Sequence, residues 1–270
     1  GIRAKATWLE FRRVLFRSSI ISTKGGVGKT TLSANLAGYL SSINKKILMI
    51  DADPQPSLSS YFKLIKQADF GLTEVLFNPA TINHCISQTN YGDLIYSNDP
   101  DNQLQSWLVG KGDGRFRLSI ALKHLKTQYD YVFIDTQGAR GNLQDASVLA
   151  ADLLISPILP ESPTVRELER GTLSMLGELQ SYKDMGINVP NLLGIVYKLD
   201  RTKDAQKFVA YLKRTNNDKY QMLKTQIPQS VVFKEAASQQ VPVTKFLELN
   251  KEQQRKAQKS AEAIKDLAKE

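Results

Sequence analysis

A glycine-rich loop between an apolar run and a helix-like segment limits the fold of this 270-residue chain more than any other feature. The loop reads TKGGVGKTT and spans Thr23–Thr31. Before it, Ser19–Ser22 is predicted to form a short buried strand, and after it Leu32–Leu40 continues with helical periodicity. In this context, glycine N–H groups and the N-terminus of the helix can surround a phosphate group. The pattern therefore predicts a phosphate-binding loop in an α/β fold.

Two side chains at the end of the loop suit nucleotide chemistry. Lys29 supplies a compact positive charge for the β- and γ-phosphates, and the Thr30 hydroxyl is a suitable Mg²⁺ ligand. The strict motif has glycine at position 23, where this chain has Thr23 followed by Lys24. Because a partial match can also be a generic turn, the interpretation depends on the rest of the chain.

Acidic residues follow two further predicted strands. Asp51 and Asp53 come directly after Lys46–Ile50, and Asp135 follows Tyr131–Ile134. The carboxyl ends of parallel strands meet at one edge of the sheet, where open α/β folds bind their ligands. A single aspartate in this position often caps the next helix instead. Several such carboxylates aligned with a phosphate loop favour a shared site.

Composition excludes several other classes of protein. Cys85 is the single cysteine, so the chain cannot form its own disulfide framework, Cys-ligated zinc site or iron–sulfur cluster. With only His84 and His124, a histidine-rich metal site is also unexpected. Since no apolar run approaches 18 residues, the sequence predicts no membrane span, and we expect a cytoplasmic protein with one α/β domain.

The formal charge of +9 is concentrated in two segments. Gly1–Ser18 carries five basic residues against one glutamate, and Lys198–Lys224 carries eight basic residues against three aspartates. The first segment contains Phe11–Ser18, which resembles the in-frame translation of a sequencing-library adapter. We therefore expect Gly1–Ser18 to be a non-native leader; the alternative is a basic arm that binds DNA.

Three motifs together resemble one known family. KGGVGKTT (Lys24–Thr31), DADPQ (Asp51–Gln55) and YVFIDT (Tyr131–Thr136) resemble the deviant Walker A ATPases of the ParA/MinD family, in particular the Soj-like ParA branch that partitions chromosomes and plasmids. The resemblance extends from residue 19 to residue 270, as one ATPase domain. It implies a P-loop fold of the SIMIBI class, with a mostly parallel, twisted central sheet and helices on both faces. ATP and Mg²⁺ are the implied cofactors.

The resemblance also implies catalytic roles. Lys24 corresponds to the signature lysine, which reaches the partner's phosphates across an ATP-bound homodimer. Lys29 keeps its P-loop role, and Asp53 corresponds to the residue that orients or activates the attacking water. Phosphoryl transfer depends on positioning and charge neutralisation, so no side-chain nucleophile is required.

Nucleotide and metal contacts are implied residue by residue. Mg²⁺ is expected at Thr30, with Asp51 and Asp135 acting through water. The residues from Tyr197 to Asp200 differ from the guanine-binding signature N-K-x-D at one position, where Tyr197 replaces asparagine. The resemblance favours ATP over GTP. The expected nucleotide-binding residues are Gly25, Gly26, Val27, Gly28, Lys29, Thr30 and Thr31, with Pro160 and Tyr197 near the base.

One loop departs from the family pattern. The family usually has proline after Thr136, whereas this chain has Gln137 and Gly138. We expect a switch loop that is more flexible than usual. Gln137 or Arg140 could contact the γ-phosphate or water; the alternative is a plain loop role.

The second basic segment has two interpretations. Charge runs usually form a solvated helix face, whereas the resemblance implies non-specific DNA binding in this part of the fold. The family often has arginines in the segment that corresponds to Ile227–Val232, whereas this chain has Gln229 and Val232 there, and this departure weakens the DNA-binding expectation. The candidate DNA-binding residues are Arg201, Lys203, Lys207, Lys213 and Arg214.

The C-terminal segment Lys251–Glu270 is helical in composition, but its apolar residues are mostly alanine. Ile264 and Leu267 are its large apolar side chains, so we expect no membrane anchor and a helix that packs on the body or stays solvated.

The expected function is that of an ATPase that dimerises on MgATP and binds DNA non-specifically on the bacterial nucleoid. Its turnover would be slow until a ParB-like partner stimulates it. Three alternatives remain: a ParA-like ATPase that positions a protein cargo, a metabolic enzyme of the same superclass, and a nucleotide-dependent binding module with negligible turnover.

Overall fold

The structure, a computed structural model, describes residues 15–99, 101–125, 128–214, 220–249 and 254–270. Within these residues nine strands form one sheet. The strands are β1 (Phe16–Ile20), β2 (Ile47–Ala52), β3 (Leu64–Lys66), β4 (Ser87–Thr89), β5 (Gly92–Ile95), β6 (Tyr131–Thr136), β7 (Leu153–Ile158), β8 (Leu192–Leu199) and β9 (Gln221–Pro228).

Helices connect most of the strands. They are α1 (Lys29–Ser42), α2 (Leu72–Phe77), α3 (Gln103–Val109), α4 (Arg117–Lys123), α5 (Asn142–Leu149), α6 (Ser162–Glu167), α7 (Leu173–Leu179), α8 (Lys203–Arg214), α9 (Val232–Ser238), α10 (Val243–Leu249) and α11 (Gln254–Lys269). A π-helical turn, Leu168–Thr172, joins α6 to α7.

The sheet is mostly parallel, as the sequence predicts. Its strand order is β3-β4-β5-β2-β6-β1-β7-β8-β9, and β4 runs antiparallel to both of its neighbours. The central strand β6 lies between β1 and β2, and Asp51 of β2 is the register partner of Asp135 on β6. The topology therefore places the two predicted acidic strand ends side by side, next to the strand that leads into the glycine loop.

Alternating side chains of the central strands bury both faces of the sheet. Every residue of β2 is buried. Ile47 and Met49 belong to the core cluster on one face, whereas Leu48 and Ile50 belong to the cluster on the other. This two-sided burial explains why β2 appears in the sequence as a continuous apolar run.

Helices cover both faces. One face holds α1 and α9–α11, and the other holds α2 and α4–α8. Ile264 and Leu267 of α11 are buried in the first cluster. The expectation that the C-terminal segment packs on the body is confirmed, and none of the described helices is long and apolar enough to cross a membrane.

Strand β1 begins earlier than the sequence suggests. It runs from Phe16 to Ile20, because ladder pairing with β6 starts at Phe16 and includes the buried serines Ser18 and Ser19. The backbone N–H of Arg17 donates to the Asp152 carboxylate at 2.9 Å, and the Arg17 guanidinium forms an ion pair with the same carboxylate. Three residues assigned to the leader are thus part of the sheet, while its residues 1–14 lie outside the described residues. That the leader is non-native stays a prediction.

Candidate active site

The glycine loop has a backbone conformation that explains its sequence. Gly26 and Gly28 adopt left-handed φ angles of 73° and 99°, which side-chain-bearing residues rarely adopt. A β-carbon on Gly28 would also overlap the ring of Tyr197. The loop therefore passes directly over a buried tyrosine and delivers Lys29 to the first turn of α1.

A cavity of about 770 Å³ opens over this loop. It brings together residues of the glycine loop, the segment after β2, the start of α3, and the loop after β6. Val27 does not line it and is fully buried. The lining residues are Gly25, Gly26, Gly28, Lys29, Thr30, Thr31, Asp53, Pro54, Gln55, Ser57, Ser60, Tyr61, Asn102, Gln137, Gly138, Ala139 and Lys198.

Lys29 is the buried cation of this cavity. Only 6% of its surface is exposed, and its Nζ lies 3.5 Å from the carbonyl oxygen of Lys24. Burial lowers its pKa, and the charges of Asp135 and Asp53 oppose that shift. A desolvated ammonium beside glycine N–H groups is suited to bind the phosphate chain of a nucleotide.

Two carboxylates lie beneath the loop at the predicted strand ends. Asp51 accepts bonds from the Ser59 amide and hydroxyl at 2.7 and 2.6 Å, while Asp135 accepts one from the Ser33 hydroxyl at 3.3 Å. Both are fully buried. Burial raises the pKa of Asp51 and of Asp135; the negative charge of Asp135 raises that of Asp51 further, and a hydrogen bond from Thr30 opposes the rise at Asp135.

The residues present fit a Mg²⁺ ion. Oδ2 of Asp135 is buried and has no hydrogen-bond partner among the described residues, and Thr30 both bonds Asp135 and lines the cavity. Oxygen donors of this kind are those that Mg²⁺ prefers, together with water and substrate phosphates. The described residues include no cluster of three or more His, Cys, Asp or Glu side chains suited to a metal.

Asp53 lies at the mouth of the same cavity. Its Oδ1 accepts a bond from the Gln55 amide at 3.0 Å, which fixes the carboxylate toward the loop after β2. Burial raises its pKa, and the Gln55 bond and the charge of Lys29 oppose that rise. Asp53 is the carboxylate that reaches the cavity, whereas Asp51 does not line it.

Lys24 lies outside the cavity lining. Its Nζ donates to Oε1 of Glu161 at 2.9 Å and contacts the Thr164 hydroxyl at 2.8 Å. The adjacent Thr23 hydroxyl donates to Glu167 at 2.8 Å. The loop is thus tied to α6, and this tie gives Thr23 a role that glycine could not fill.

The loop after β6 packs against the glycine loop. A β-carbon on Gly138 would come within 2.5 Å of the Gly25 Cα, so this position requires a residue without a side chain. Gln137 lines the cavity, but Arg140 is drawn away and forms an ion pair with Glu178. Close backbone packing therefore accounts for the glycine here; the predicted flexibility of the loop stays a prediction.

The predicted base-binding residues are not placed in the cavity. Tyr197 is buried below Gly28, and burial raises its pKa to about 12, opposed by a hydrogen bond with Thr31. Pro160 is absent from the cavity lining. Lys198, which lies in the segment Tyr197–Arg201 that is expected near the base and begins the second basic segment, lines the cavity and donates to the Gly26 carbonyl at 3.4 Å.

The predicted DNA-binding cations are all exposed. Four of them lie on α8, and Lys207 pairs with Asp204 at 3.2 Å. Arg201 lines a second cavity of about 800 Å³ together with Arg255, Lys256 and Lys259 of α11. The sequence does not predict these three cations as DNA-binding residues. The Lys- and Arg-rich composition of the C-terminal segment is the feature that could have indicated them.

The chain is similar to known proteins over most of its length. A family model described as an AAA domain matches residues 18–184. The chromosome-partitioning ATPase Soj of Treponema pallidum is 30% identical over 84% of this chain and 88% of its own length. The carboxysome distribution protein A of Gloeothece citriformis is 32% identical over 72% of this chain and 77% of its own length.

Solved structures share the architecture. McdA of Cyanothece superposes with a TM-score of 0.76 at 26% identity, covering 93% of this chain and 99% of its own, and it has also been solved with ATP. The septum site-determining protein MinD of Pyrococcus horikoshii, solved with Mg-ADP (TM-score 0.67), and cobyrinic acid a,c-diamide synthase of Mycobacterium smegmatis (TM-score 0.71) are each 22% identical and show the fold alone.

The matched family model covers the glycine loop, both acidic strand ends and the loop after β6. McdA of Cyanothece has been solved with ATP, the nucleotide that the sequence predicts for this chain. The chain therefore belongs to the ParA/MinD family of P-loop ATPases.

Proposed function

We propose that this chain is a DNA-partitioning ATPase. It would dimerise on MgATP, bind DNA without sequence preference on the bacterial nucleoid, and hydrolyse ATP slowly until a ParB-like partner stimulates it. The observation that carries the proposal is a cavity over the glycine loop that is lined by Lys29 and Asp53, together with a lysine of the same loop, Lys24, that binds Glu161 outside the cavity lining.

Within one chain, the cavity residues divide the work. Glycine-loop N–H groups and Lys29 would bind the phosphates, and Thr31 the α-phosphate. Thr30 would bind Mg²⁺, and Asp51 and Asp135 would hold the ion through water. When bound, Mg²⁺ neutralises charge on the β- and γ-phosphates. Asp53 would orient the attacking water at the cavity mouth.

Lys24 would serve the partner chain. Its ion pair with Glu161 is partly exposed, with side-chain accessibilities of 29% and 50%, so separating the pair costs little. A lysine that can leave its own chain at low cost can supply charge to a second nucleotide. Dimerisation and nucleotide binding would thereby be coupled.

DNA binding would use the cations of α8 and of the neighbouring groove. Arg201 connects the two groups, because it precedes α8 and lines the cavity that Arg255, Lys256 and Lys259 also line. Such binding rests on counterion release. If about six phosphates are contacted, the slope of log K against log salt is about −5.

A second function has support from the comparisons. Proteins named for carboxysome distribution are among the relatives in both sequence and structure, so this chain would equally suit the positioning of a protein cargo. Both functions use the same ATP site. They differ in the adaptor that stimulates hydrolysis: a centromere-binding protein in one and a cargo-bound protein in the other.

DNA binding can be tested by band shift with two unrelated duplexes of equal length, in the presence of ATP, ADP or no nucleotide. We expect equal affinity for both duplexes, retention with ATP alone, and a salt slope near −5. Lys207→Glu with Lys213→Glu should abolish binding and keep ATP-dependent dimerisation; the charge-neutral control is Lys207→Gln with Lys213→Gln, which should weaken binding less. Unchanged binding in the glutamate variant would remove α8 from the DNA surface.

A further inference from the structure

Gln137 and Asp53 leave the sheet side by side. Strands β2 and β6 pair in register up to Ala52 and Thr136, and Asp53 and Gln137 are the residues that directly follow this pair. Both line the cavity over the glycine loop, which we call the ATP cavity. Two neighbouring strands therefore deliver a carboxylate and an amide to this cavity from adjacent positions.

The backbone around Gln137 is held on both sides. The buried Thr136 hydroxyl donates to the Ile20 carbonyl at 2.8 Å. On the other side, a β-carbon on Gly138 would come within 2.5 Å of the Gly25 Cα, so the chain passes directly against the glycine loop. Gln137 thus enters the ATP cavity from a fixed position next to the loop that is suited to bind phosphate.

A second glutamine, Gln105 of α3, lies next to the Gln137 amide. A β-carbon on Gly141 would be 2.8 Å from Nε2 of Gln137 and 2.7 Å from Oε1 of Gln105, so the two amides face the same point. Oε1 of Gln105 accepts a bond from the Leu143 amide at 3.3 Å. Because an amide oxygen has two lone pairs, it can accept a second bond from Gln137 and keep the first.

Gly141 makes room for the two amides. Its φ of 173° is extended backbone, which residues with side chains also adopt. The closeness of the amides, and not the backbone conformation, therefore accounts for the glycine at this position. Nε2 of Gln105 is buried and has no hydrogen-bond partner among the described residues. Since such a donor costs free energy, the packing of α3 alone does not explain this glutamine.

The Gln137 amide complements the Asp53 carboxylate chemically. The loop after β6 contributes Gln137, Gly138 and Ala139 to the described lining of the ATP cavity, and Gln137 is the polar one. An amide both donates and accepts hydrogen bonds, whereas an ionised carboxylate only accepts them. A water molecule between Asp53 and Gln137 can therefore be oriented by both groups at once.

We propose that Gln137 orients the attacking water together with Asp53, and that Gln105 is a positioning residue that holds the Gln137 amide. With nucleotide bound, Nε2 of Gln137 donates to Oε1 of Gln105, which leaves Oε1 of Gln137 free to accept from the water. This inference deepens the proposed function, because it rests on ATP hydrolysis in the same cavity. Orienting the water is a recognised means of accelerating phosphoryl transfer.

The step that Gln137 serves is the hydrolysis of the terminal phosphate. The water oxygen forms a bond to the γ-phosphorus, and the bond from that phosphorus to the bridging oxygen breaks. The electron pair of the broken bond stays on ADP. One water proton remains on the attacking oxygen and the other passes to a phosphate oxygen, so Gln137 neither gains nor loses a proton.

Single-turnover hydrolysis of MgATP, measured beside ATP binding, tests the role of Gln137. Gln137→Ala should lower the rate constant of hydrolysis at least about tenfold and leave both the ATP dissociation constant and the ATP-dependent dimer unchanged. An unchanged rate constant would overturn the proposal. A weaker affinity for ATP at an unchanged rate constant would do so as well, because Gln137 would then bind nucleotide and not orient water.

A double-mutant cycle tests the role of Gln105. Gln105→Leu removes the acceptor and should lower the rate constant about three- to tenfold in the parent, but have no further effect in a Gln137→Ala background, where no amide is left to hold. Gln103→Leu is the control, an exposed glutamine of the same helix that does not line the ATP cavity, and it should hydrolyse ATP as the parent does. Equal losses from Gln105→Leu in both backgrounds would overturn the positioning role.

Gly141→Ala tests the same contact with both glutamines in place. Its methyl group would occupy the point that the two amides face, and the extended backbone accepts alanine. We expect the rate constant to fall as in Gln105→Leu, with ATP binding unchanged. A rate constant equal to that of the parent would contradict the arrangement of the two amides.

DNA binding by the same proteins separates this inference from the proposed function. Hydrolysis by the parent that does not depend on Gln137 would overturn the inference and leave the DNA-partitioning function standing. A parent that binds no DNA but hydrolyses ATP in a Gln137-dependent manner would overturn the DNA-partitioning function and support the inference. A parent that does not hydrolyse ATP would overturn both.

Discussion

Lys24 donates to Glu161 at 2.9 Å, and this ion pair holds the Lys24 side chain away from the ATP cavity of its own chain. The hydrogen bond from Lys24 lowers the pKa of Glu161, so this carboxylate is ionised at neutral pH. Because the pair is partly exposed, its contribution to stability is small. Under the proposed function, Lys24 can therefore leave Glu161 at little cost and reach a partner chain.

Glu161→Gln should favour the ATP-bound dimer. Removing the carboxylate charge weakens the hold on Lys24. Because an exposed ion pair contributes little free energy, we expect the dimer dissociation constant with ATP to fall by only about two- to fivefold. Sedimentation in an Asp53→Ala background measures it without turnover. Glu248→Gln, which breaks the exposed pair with Lys245, should leave dimerisation unchanged; an equal effect in both variants would contradict the role of Glu161.

Gly138→Ala should weaken nucleotide binding. The added methyl group would lie 2.5 Å from the Gly25 Cα and 2.8 Å from the Gly25 nitrogen, and these backbone atoms cannot swing away as a side chain could. We expect the ATP dissociation constant to rise at least about tenfold, measured with a fluorescent ATP analogue. Gly177→Ala, where the methyl group meets nothing within 4 Å, is the control and should bind ATP normally.

Stability without nucleotide should fall as the pH rises. Burial raises the pKa of Asp51 to about 8 and that of Asp135 to about 7. The folded state therefore keeps protons that the unfolded chain has released, and this contribution is complete below about pH 4 and lost as the pH passes 7 to 8. Urea unfolding at pH 5.5 and 8.5 should differ by about 1 kcal/mol or more.

Asp135→Asn tests the source of this pH dependence. The amide cannot ionise. The free energy of unfolding of this variant should therefore change less between the two pH values than that of the parent. Asp184→Asn, an exposed aspartate, is the control and should follow the parent. An identical slope for Asp135→Asn and the parent would show that the buried carboxylates do not cause it.

The cations of α11 should contribute to DNA binding. Lys256→Glu with Lys259→Glu places two negative charges beside Arg201. We expect at least about tenfold weaker binding and a shallower salt slope. Lys265→Glu with Lys269→Glu, farther along the same helix, is the control. Equal loss in both pairs would mean that overall charge, not the groove, determines affinity.

The sequence predicts this fold well because its strongest signals are local. The glycine loop, the apolar run of β2 and the acidic residues Asp51 and Asp135 identify adjacent strands of a parallel sheet, and the register confirms it. The sequence predicts that the first strand begins at Ser19, whereas β1 begins at Phe16, because the polar Arg17 and Ser18 interrupt the apolar pattern.

The parts of the site that sequence did not predict depend on contacts between distant segments. Asn102 reaches the ATP cavity from the start of α3, and no motif marks it. The Lys24–Glu161 pair joins residues 137 positions apart. Tyr197 occupies the first position of a near-match to a base-binding signature. The Tyr197 ring packs under Gly28, however, so it lies below the loop and does not line the cavity.

ATP turnover and dimerisation of Asp53→Ala, compared with Lys24→Ala, test the central claim most directly. Asp53→Ala should lose turnover by at least about 100-fold and accumulate as an ATP-bound dimer, because binding is retained while the attacking water is no longer oriented. Lys24→Ala should lose both turnover and the dimer. Normal turnover of Asp53→Ala, or an ATP dimer of Lys24→Ala that forms as readily as that of the parent, would contradict the account.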